Sequence, residues 1–242
     1  MFYIKLSFII LWFLFSSFVM LFVPFALWRP RDLNRDYGRM LSWGILKILR
    51  IQVHIEGAHY IESQKPAVFV VNHQSSFDLI TFGEFYPRNT VVIGKKEVGW
   101  IPIFGWIYIL AGNVLIDRKK TNQAVAGLSQ VAQTIQKKRV SIWIFPEGTR
   151  NRNGSGLLPF KKGAFHTAIQ AQVPIVPMLS SPLSRLVSWR ERKLISGVLQ
   201  VRVLPPISTR GLGIDQVEKL AEETRKKMND ALEFLESVPA SR

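Results

Sequence analysis

The spacing of hydrophobic and polar positions changes near residue 50 of this 242-residue chain. Before that point, residues 6–27 form a run of 22 positions without a charged side chain. After it, short runs rich in β-branched residues alternate with segments of helical periodicity. This alternation predicts an α/β fold, in which a largely parallel sheet is flanked by helices and preceded by an N-terminal hydrophobic helical anchor.

Residues 51–242 contain no internal repeat and no linker long enough to divide them. We therefore predict a membrane-anchoring helical segment at 1–50 and one further domain at 51–242. The strands of that domain are predicted at 52–55, 67–71, 90–93, 113–116, 141–145, 175–179 and 198–203. Its helices are predicted at 77–86, 103–110, 122–137, 164–171 and 215–236.

The apolar run at the N-terminus is long enough to cross a hydrocarbon core of ~30 Å. It is preceded by Lys5 and followed by Arg29, Arg31, Arg35 and Arg39. Because positively charged flanks stay in the cytoplasm, the following domain is predicted on the cytoplasmic side of the membrane. One alternative is a helix lying in the interface, since Pro24 can bend the segment. Another is a cleaved signal peptide, for which no small-residue cleavage site is evident.

Two further apolar segments each admit a structural and a membrane-related explanation. The first, residues 40–49, aligns near one helical face the side chains of Met40, Leu41, Ile45, Ile48 and Leu49. Core packing explains this stripe as readily as membrane contact does, but its position after the anchor favours the membrane interface. The second, residues 98–110, fits a buried loop and helix as well as the wall of an alkyl-chain groove or a second membrane contact.

The composition narrows the choice of partners. Lysine and arginine number 32 against 17 acidic residues, a formal net charge of +15. Such an excess favours nucleic acid, an anionic lipid surface or phosphorylated substrates, and the apolar N-terminus favours lipid over nucleic acid. The absence of cysteine excludes disulfides, thiolate nucleophiles and cysteine-based metal sites. Because the four histidines form no H-E-x-x-H array, we expect no metal site.

The segment NHQSSFD at 72–78 joins a histidine to an aspartate directly after the predicted strand 67–71. His73 then lies in the turn at the carboxyl end of that strand, where open α/β sheets bind ligands, and Asp78 lies in the next helical turn. Imidazole can take a proton from a hydroxyl, and a neighbouring carboxylate can fix its tautomer. The alternative is that these are loop and cap residues, with Ser75 or Ser76 capping the following helix.

Cationic residues follow other predicted strands. Arg118 follows strand 113–116, Arg150 ends the segment FPEGTR after strand 141–145, and Lys161 precedes a later helix. A guanidinium donates paired hydrogen bonds to phosphate, so we expect these side chains to form a basic pocket beside the histidine. Any one of them alone is more simply a solvated surface charge. Their common position at one edge of the sheet favours the pocket.

The segment FPEGTR contributes three further candidates. Gly148 allows a ligand to approach the backbone closely, and Thr149 adds a short hydroxyl donor. Glu147 has two interpretations. Its carboxylate can hold the loop by accepting hydrogen bonds from backbone amides or by pairing with an arginine, or it can bind a substrate hydroxyl.

Four ordered segments carry a resemblance to a known family. They are NHQSSFD at 72–78, GNVLIDR at 112–118, FPEGTR at 145–150 and VPIVP at 173–177. Their order and spacing resemble the four sequence blocks of the glycerolipid acyltransferases, in particular the bacterial 1-acyl-sn-glycerol-3-phosphate acyltransferases. One departure is Asn113, where relatives also carry small or apolar residues, and it leaves the expected chemistry unchanged.

The resemblance implies a role for each matching residue. His73 would be the general base, Asp78 its orienting partner, and Arg118 a ligand of the acceptor's phosphate. The segment 173–177 would support the site without touching the reacting atoms. The residues that would shape the acceptor pocket are Glu147, Gly148, Thr149, Arg150 and, as a weaker addition, Lys161.

The implied reaction transfers an acyl group from acyl-CoA or acyl carrier protein to the sn-2 hydroxyl of lysophosphatidic acid, giving phosphatidic acid without an acyl-enzyme. Neither a metal nor a cofactor is implied. The implied partners are these substrates and a membrane containing anionic lipid, without nucleic acid. The alternatives are another lysophospholipid or glycerol-phosphate acceptor, a lipid esterase with Ser75 or Ser76 as nucleophile, and a non-catalytic adaptor that binds anionic lipid.

Overall fold

The computed structural model describes residues 1–27, 32–116, 131–151 and 156–237. Its helices are α1 (Phe2–Leu27), α2 (Leu33–Leu49), α3 (His59–Ser63), α4 (Asp78–Gly83), α5 (Phe104–Leu110), α6 (described at 131–138), α7 (Gly163–Ala171) and α8 (Val217–Ser237). Its strands are β1 (Ile51–Glu56), β2 (Val68–Val71), β3 (Thr90–Lys95), β4 (Val114–Ile116), β5 (Ser141–Ile144), β6 (Ile175–Ser180), β7 (Val187–Ser188), β8 (Lys193–Leu194) and β9 (Gly197–Val203).

Seven of the strands form one sheet in the order β1-β9-β6-β2-β5-β3-β4. Neighbouring strands are parallel except β6 and β9, which are antiparallel. The prediction of a largely parallel α/β sheet is therefore confirmed, and each predicted strand overlaps an observed one. Patterning missed α3 and the hairpin of β7 and β8, because both are too short to establish a period. The first part of the predicted helix 122–137 lies outside the described residues.

The central strand β2 is buried on both faces, which explains its unbroken apolar sequence VFVV. Successive side chains of a strand point to opposite faces. Val68 and Val70 accordingly join the core formed with α7 and α8, whereas Phe69 and Val71 join the core that includes Phe82 of α4. Since β2 lies between β5 and β6, the turns that follow these three strands are neighbours at the carboxyl edge of the sheet.

Helix α2 packs closely on α4, the helix that begins at Asp78. The two backbones meet at Gly38 and Gly83, where a Cβ added to Gly38 would lie 3.3 Å from the Cα of Gly83. Across the same contact, Ser42 Oγ donates to the carbonyl oxygen of Ile80 at 2.6 Å. The N-terminal segment thus supports the helix that carries one of the candidate site residues. The boundary at residue 50 stays a prediction.

The apolar stripe of α2 faces the protein interior. Leu41, Ile45 and Leu49 are each 1% exposed, and they pack in clusters with side chains of α1, α5 and the turn before α4. The preference for an interfacial stripe is therefore wrong. A helical apolar face has the same periodicity whether protein or lipid covers it, and here neighbouring helices cover it.

Helix α1 exposes an apolar surface. Residues Phe2–Phe22 are long and apolar enough to cross a membrane, with a mean hydropathy of 2.2, a test that signal sequences also pass. Phe8 and Phe15 are among its exposed side chains. In the segment 98–110, Ile107 is buried against the helices, as expected of a buried helix. Trp106 is 57% exposed, which leaves it available for a groove or a membrane contact.

Candidate active site

His73 and Asp78 meet in the turn between β2 and α4. The Nδ1 atom of His73 is 2.7 Å from the Oδ2 atom of Asp78. The same oxygen accepts hydrogen bonds from the backbone N–H groups of Gln74, at 2.7 Å, and Ser75, at 3.0 Å. The aspartate therefore shapes the turn and holds the imidazole ring in one orientation.

The contact with Asp78 determines which ring nitrogen of His73 faces a substrate. When the N–H at Nδ1 donates a hydrogen bond to this carboxylate, the lone pair of Nε2 is left to accept a proton. The side chain of Asp78 is 2% exposed and that of His73 is 21% exposed, so the carboxylate is shielded while the imidazole reaches solvent. Phe145 stacks on the imidazole, with 4.1 Å between ring centroids, and so restricts its rotation.

Two amide side chains fasten this turn to β6. Asn72 donates from Nδ2 to the carbonyl oxygen of Ser180 at 3.2 Å, and its Oδ1 accepts from the N–H of Ser180 at 3.0 Å. Gln74 donates to the same carbonyl at 2.9 Å, and its Oε1 accepts from the N–H of Leu183 at 3.0 Å. Sequence reasoning treated both residues as ordinary loop residues. The signal available was the run of polar side chains directly after an apolar strand.

Glu147 is buried beside the turn and joins two backbone segments. Its Oε1 accepts from the N–H of His73 at 2.7 Å, and its Oε2 accepts from the N–H of Leu158 at 3.1 Å. Burial raises the pKa of this carboxyl from its ordinary value of 4.5, and the two backbone hydrogen bonds partly oppose that shift. Because both oxygens already accept backbone donors, the geometry favours the loop-holding interpretation of Glu147.

We expect Glu147→Gln to lower the free energy of unfolding by about 1–3 kcal/mol, because an amide NH₂ would face a backbone N–H. The native carboxyl keeps its proton to higher pH than the unfolded chain does. Its contribution to stability therefore falls as the pH rises from 4.5 through the raised pKa. Glutamine does not titrate, so the difference in unfolding free energy between the wild type and Glu147→Gln should become smaller as the pH rises over this range.

Chemical denaturation of both proteins in detergent, at several pH values, measures this difference in unfolding free energy. Glu223→Gln, on the exposed side of α8, is the control for loss of one negative charge. We expect that control to change stability by less than about 0.5 kcal/mol. A wild-type advantage that widens with rising pH would contradict the assigned shift.

The remaining candidates of FPEGTR lie at the end of β5. Gly148 has a φ of +71°, and a Cβ there would lie 2.7 Å from the Cε of Lys161, so the lysine side chain covers this glycine. Thr149 and Arg150 are exposed. Arg150 donates from Nη1 to the hydroxyl of Ser76, which links this segment to NHQSSFD.

The carboxyl edge of the sheet thus brings together most of the predicted site residues. These are His73, Asp78, Glu147, Gly148, Thr149, Arg150 and Lys161. Arg118 lies outside the residues that the structure describes. Within the described ranges, no group of three or more His, Cys, Asp or Glu side chains could hold a metal ion.

Sequence reasoning missed the β7–β8 hairpin, which approaches the same turn. The ring of Trp189 lies 5.6 Å from that of Phe77, centroid to centroid. Beside it, Arg150 and Arg190 line a cavity of about 560 Å³ together with Gln74, Ser75 and Ser76 of the NHQSSFD turn. The signal available in the sequence was the short basic stretch WRERK at 189–193.

The chain is similar in sequence to characterised acyltransferases. A family model described as Acyltransferase matches residues 52–181, a range that contains His73 and Arg150. The chain is 44% identical over 227 residues to human 1-acyl-sn-glycerol-3-phosphate acyltransferase alpha. The aligned region covers 93% of this chain and 79% of the human protein. The chain is 38% identical over 220 residues to the Escherichia coli 1-acyl-sn-glycerol-3-phosphate acyltransferase, covering 90% and 88% respectively.

The similarity in structure extends over the whole chain. The crystal structure of the 1-acyl-sn-glycerophosphate (LPA) acyltransferase from Thermotoga maritima superimposes with a TM-score of 0.77 and 22% identity, covering 100% of both chains. This likeness supports the fold, a mostly parallel sheet flanked by helices. The family predicted from the four sequence segments is also confirmed. The chain therefore belongs to the acyltransferase family, as an enzyme related to the 1-acyl-sn-glycerol-3-phosphate acyltransferases.

Proposed function

We propose that this enzyme transfers an acyl group from acyl-CoA or acyl carrier protein to the sn-2 hydroxyl of lysophosphatidic acid, giving phosphatidic acid. The observation that carries the proposal is the 2.7 Å contact between His73 and Asp78, on the turn that Arg150 also reaches. A base for a hydroxyl and a cation for a phosphate lie together there. The names of the human and Escherichia coli relatives, 1-acyl-sn-glycerol-3-phosphate acyltransferases, support the same acceptor.

His73 acts as the general base in this proposal. Its Nε2 takes the proton of the sn-2 hydroxyl, while Asp78 stabilises the imidazolium that forms. The hydroxyl oxygen attacks the thioester carbonyl to give a tetrahedral intermediate. When the intermediate collapses, the C–S bond breaks and the thiolate takes the proton from His73. The ester and the free thiol leave, and the imidazole is neutral again.

Direct transfer fits this site better than a serine acyl-enzyme does. The hydroxyl of Ser75 accepts from the N–H of Phe77 at 3.2 Å, and the hydroxyl of Ser76 accepts from Arg150. In the part of the chain that the structure describes, neither hydroxyl hydrogen-bonds to His73. A serine nucleophile needs such a base, so the esterase alternative is weakened.

The acceptor's phosphate is assigned to Arg118 and Arg150, with Lys161 as a further cation. Arg150 is exposed and bonds to Ser76 in the turn that follows His73, so a phosphate bound to it would lie close to the base. Holding the phosphate there would orient the sn-2 hydroxyl toward Nε2. The residues proposed to shape the rest of the acceptor pocket are Glu147, Gly148 and Thr149.

We assign the enzyme to the cytoplasmic face of the inner membrane, because its acceptor is a membrane lipid and a cluster of arginines follows its apolar N-terminal segment. The exposed apolar side chains of α1 and the exposed Trp106 support contact with the bilayer. The net charge of +15 supports contact with anionic headgroups. The proposed reaction involves no metal, cofactor or nucleic acid.

A panel of acceptors and donors tests the proposal. Wild-type enzyme in detergent micelles should acylate lysophosphatidic acid faster than lysophosphatidylcholine or monoacylglycerol, with acyl-CoA and acyl carrier protein each offered as donor. Arg150→Gln should raise KM for lysophosphatidic acid about tenfold or more, because a charge-assisted hydrogen bond is lost. KM for the thioester should change less.

The matched control is Arg139→Gln, because Arg139 is exposed and precedes the strand that Arg150 follows. We expect this control to leave both KM values unchanged. Equal increases of both KM values in Arg150→Gln would argue against its assignment to the acceptor's phosphate. If another lysophospholipid reacted faster than lysophosphatidic acid, that lysophospholipid would be the acceptor. Release of free fatty acid without transfer would favour an esterase.

A further inference from the structure

The cavity between the NHQSSFD turn and the β7–β8 hairpin has the composition of an anion site. Its volume, about 560 Å³, falls within the range of about 300–1,000 Å³ that is usual for ligand pockets. Two arginines, Arg150 and Arg190, line it along with Ser75 and Ser76. Among the described residues that line it, none is acidic. The described lining therefore carries a net positive charge.

The hairpin is held against the turn by aromatic contacts. The ring of Trp189 lies 5.6 Å from that of Phe77 and 6.1 Å from that of Phe2, centroid to centroid. Phe77 directly precedes Asp78, so the hairpin is fastened to the backbone of the candidate site. Arg190 follows Trp189 and is carried to the cavity by this contact. The position of Arg190 relative to the NHQSSFD turn is thus fixed by the packing of Trp189 on Phe77.

Both arginines have guanidinium N–H groups that are not used in hydrogen bonds to the described residues. Arg150 donates from Nη1 to Ser76, and its other N–H groups remain for a ligand. Arg190 is exposed, and within the described residues it makes no hydrogen bond or ion pair. Paired guanidinium groups suit phosphate because each planar fork can donate two parallel hydrogen bonds. A phosphate between them would receive donors from two separate chain segments.

We propose that Arg190 supplies, together with Arg150, the guanidinium groups of a phosphate-binding subsite in this cavity, an inference that rests on the proposed acyl transfer. The phosphate has two possible sources of the same chemistry. One is the phosphomonoester of the glycerolipid acceptor, and the other is a phosphate of the donor, in the nucleotide of CoA or the phosphopantetheine of acyl carrier protein. Arg190 binds and positions that substrate and takes no part in the proton transfer.

The test compares Arg190→Gln with Arg192→Gln on the same hairpin. Arg192 has the same charge, but its guanidinium lies over the ring of Tyr3 at 5.7 Å and it lines a different cavity. We expect Arg190→Gln to raise one KM about tenfold or more, as expected for a lost charge-assisted hydrogen bond, with kcat changed less. An increase confined to the acceptor identifies its phosphomonoester as the ligand, and an increase confined to the thioester identifies the donor.

The conservative variant Arg190→Lys keeps the charge and removes the fork, so it should restore part of the lost affinity. Unchanged KM values in Arg190→Gln, equal changes of both, or the same change in Arg192→Gln would overturn the subsite. If the wild type transfers acyl groups and the variants have the same KM values, only this inference is refuted. Absence of transfer by the wild type would instead refute the proposed function.

Discussion

Replacing His73 with alanine should lower kcat for acyl transfer roughly a hundredfold to ten-thousandfold, the contribution usual for a positioned general base. Nδ1 is engaged by Asp78 at 2.7 Å and the imidazole is partly exposed, so alanine removes the ring whose Nε2 is assigned to take the hydroxyl proton. In the proposed mechanism His73 moves a proton and holds neither substrate. We therefore expect both KM values to stay within about threefold of those of the wild type.

Steady-state assays of purified protein in detergent measure this effect. His59→Ala is the matched control, because His59 is exposed on the short helix α3. The hydroxyls of Ser75 and Ser76 remain in His73→Ala, so mass spectrometry of wild type and variant after incubation with acyl-CoA also tests for a serine adduct. Transfer by His73→Ala at a rate near that of the wild type would refute the assigned base. Absence of transfer in both proteins would favour the lipid-binding adaptor.

Asp78→Asn should have the second largest effect, with kcat lowered about a hundredfold or more. Asparagine can still present an oxygen to His73, Gln74 and Ser75, so the turn can keep its shape. The charge that stabilises the imidazolium is lost. The amide NH₂ would then occupy the position of Oδ1, a buried atom that has no hydrogen-bond partner among the residues that the structure describes. An unsatisfied NH₂ at that position should lower the free energy of unfolding by about 1–3 kcal/mol.

The two effects of Asp78→Asn are measured separately, by initial rates and by chemical denaturation. Asp230→Asn is the control, because Asp230 is exposed on α8 and pairs with Lys226. That control should change neither the rate nor, by more than about 0.5 kcal/mol, the stability. If Asp78→Asn lost stability but kept the wild-type kcat, Asp78 would be a residue that builds the turn and nothing more.

Local sequence determined the pairing of His73 with Asp78. A fully apolar strand must end where polar residues begin, and a helix must start within a few residues, so both side chains fall in one short turn. The 2.7 Å contact is the outcome of that spacing. The same reasoning predicted Arg150 at a parallel strand end. Its bond to Ser76 joins residues 74 positions apart, which requires β2 and β5 to be adjacent.

Other features depended on contacts that no local pattern encodes. Glu147 had two interpretations until the fold put the backbone N–H groups of His73 and Leu158 against its two oxygens. Asn72 is linked to Ser180 across 108 residues, because β2 and β6 are neighbours. The apolar stripe of α2 gave no indication of whether protein or lipid would cover it.

The sequence by itself determined the alternation of strands and helices, the apolar N-terminal helix, the family and the residues whose chemistry suits acyl transfer. These follow from periodicity, charge and short motifs, which are properties of neighbouring residues. Only the tertiary structure decided which strand ends meet, that Glu147 is a buried acceptor of backbone hydrogen bonds, and that Arg190 lines the cavity with Arg150. Such contacts join distant parts of the chain, and they arise only when the sheet and the hairpin pack together.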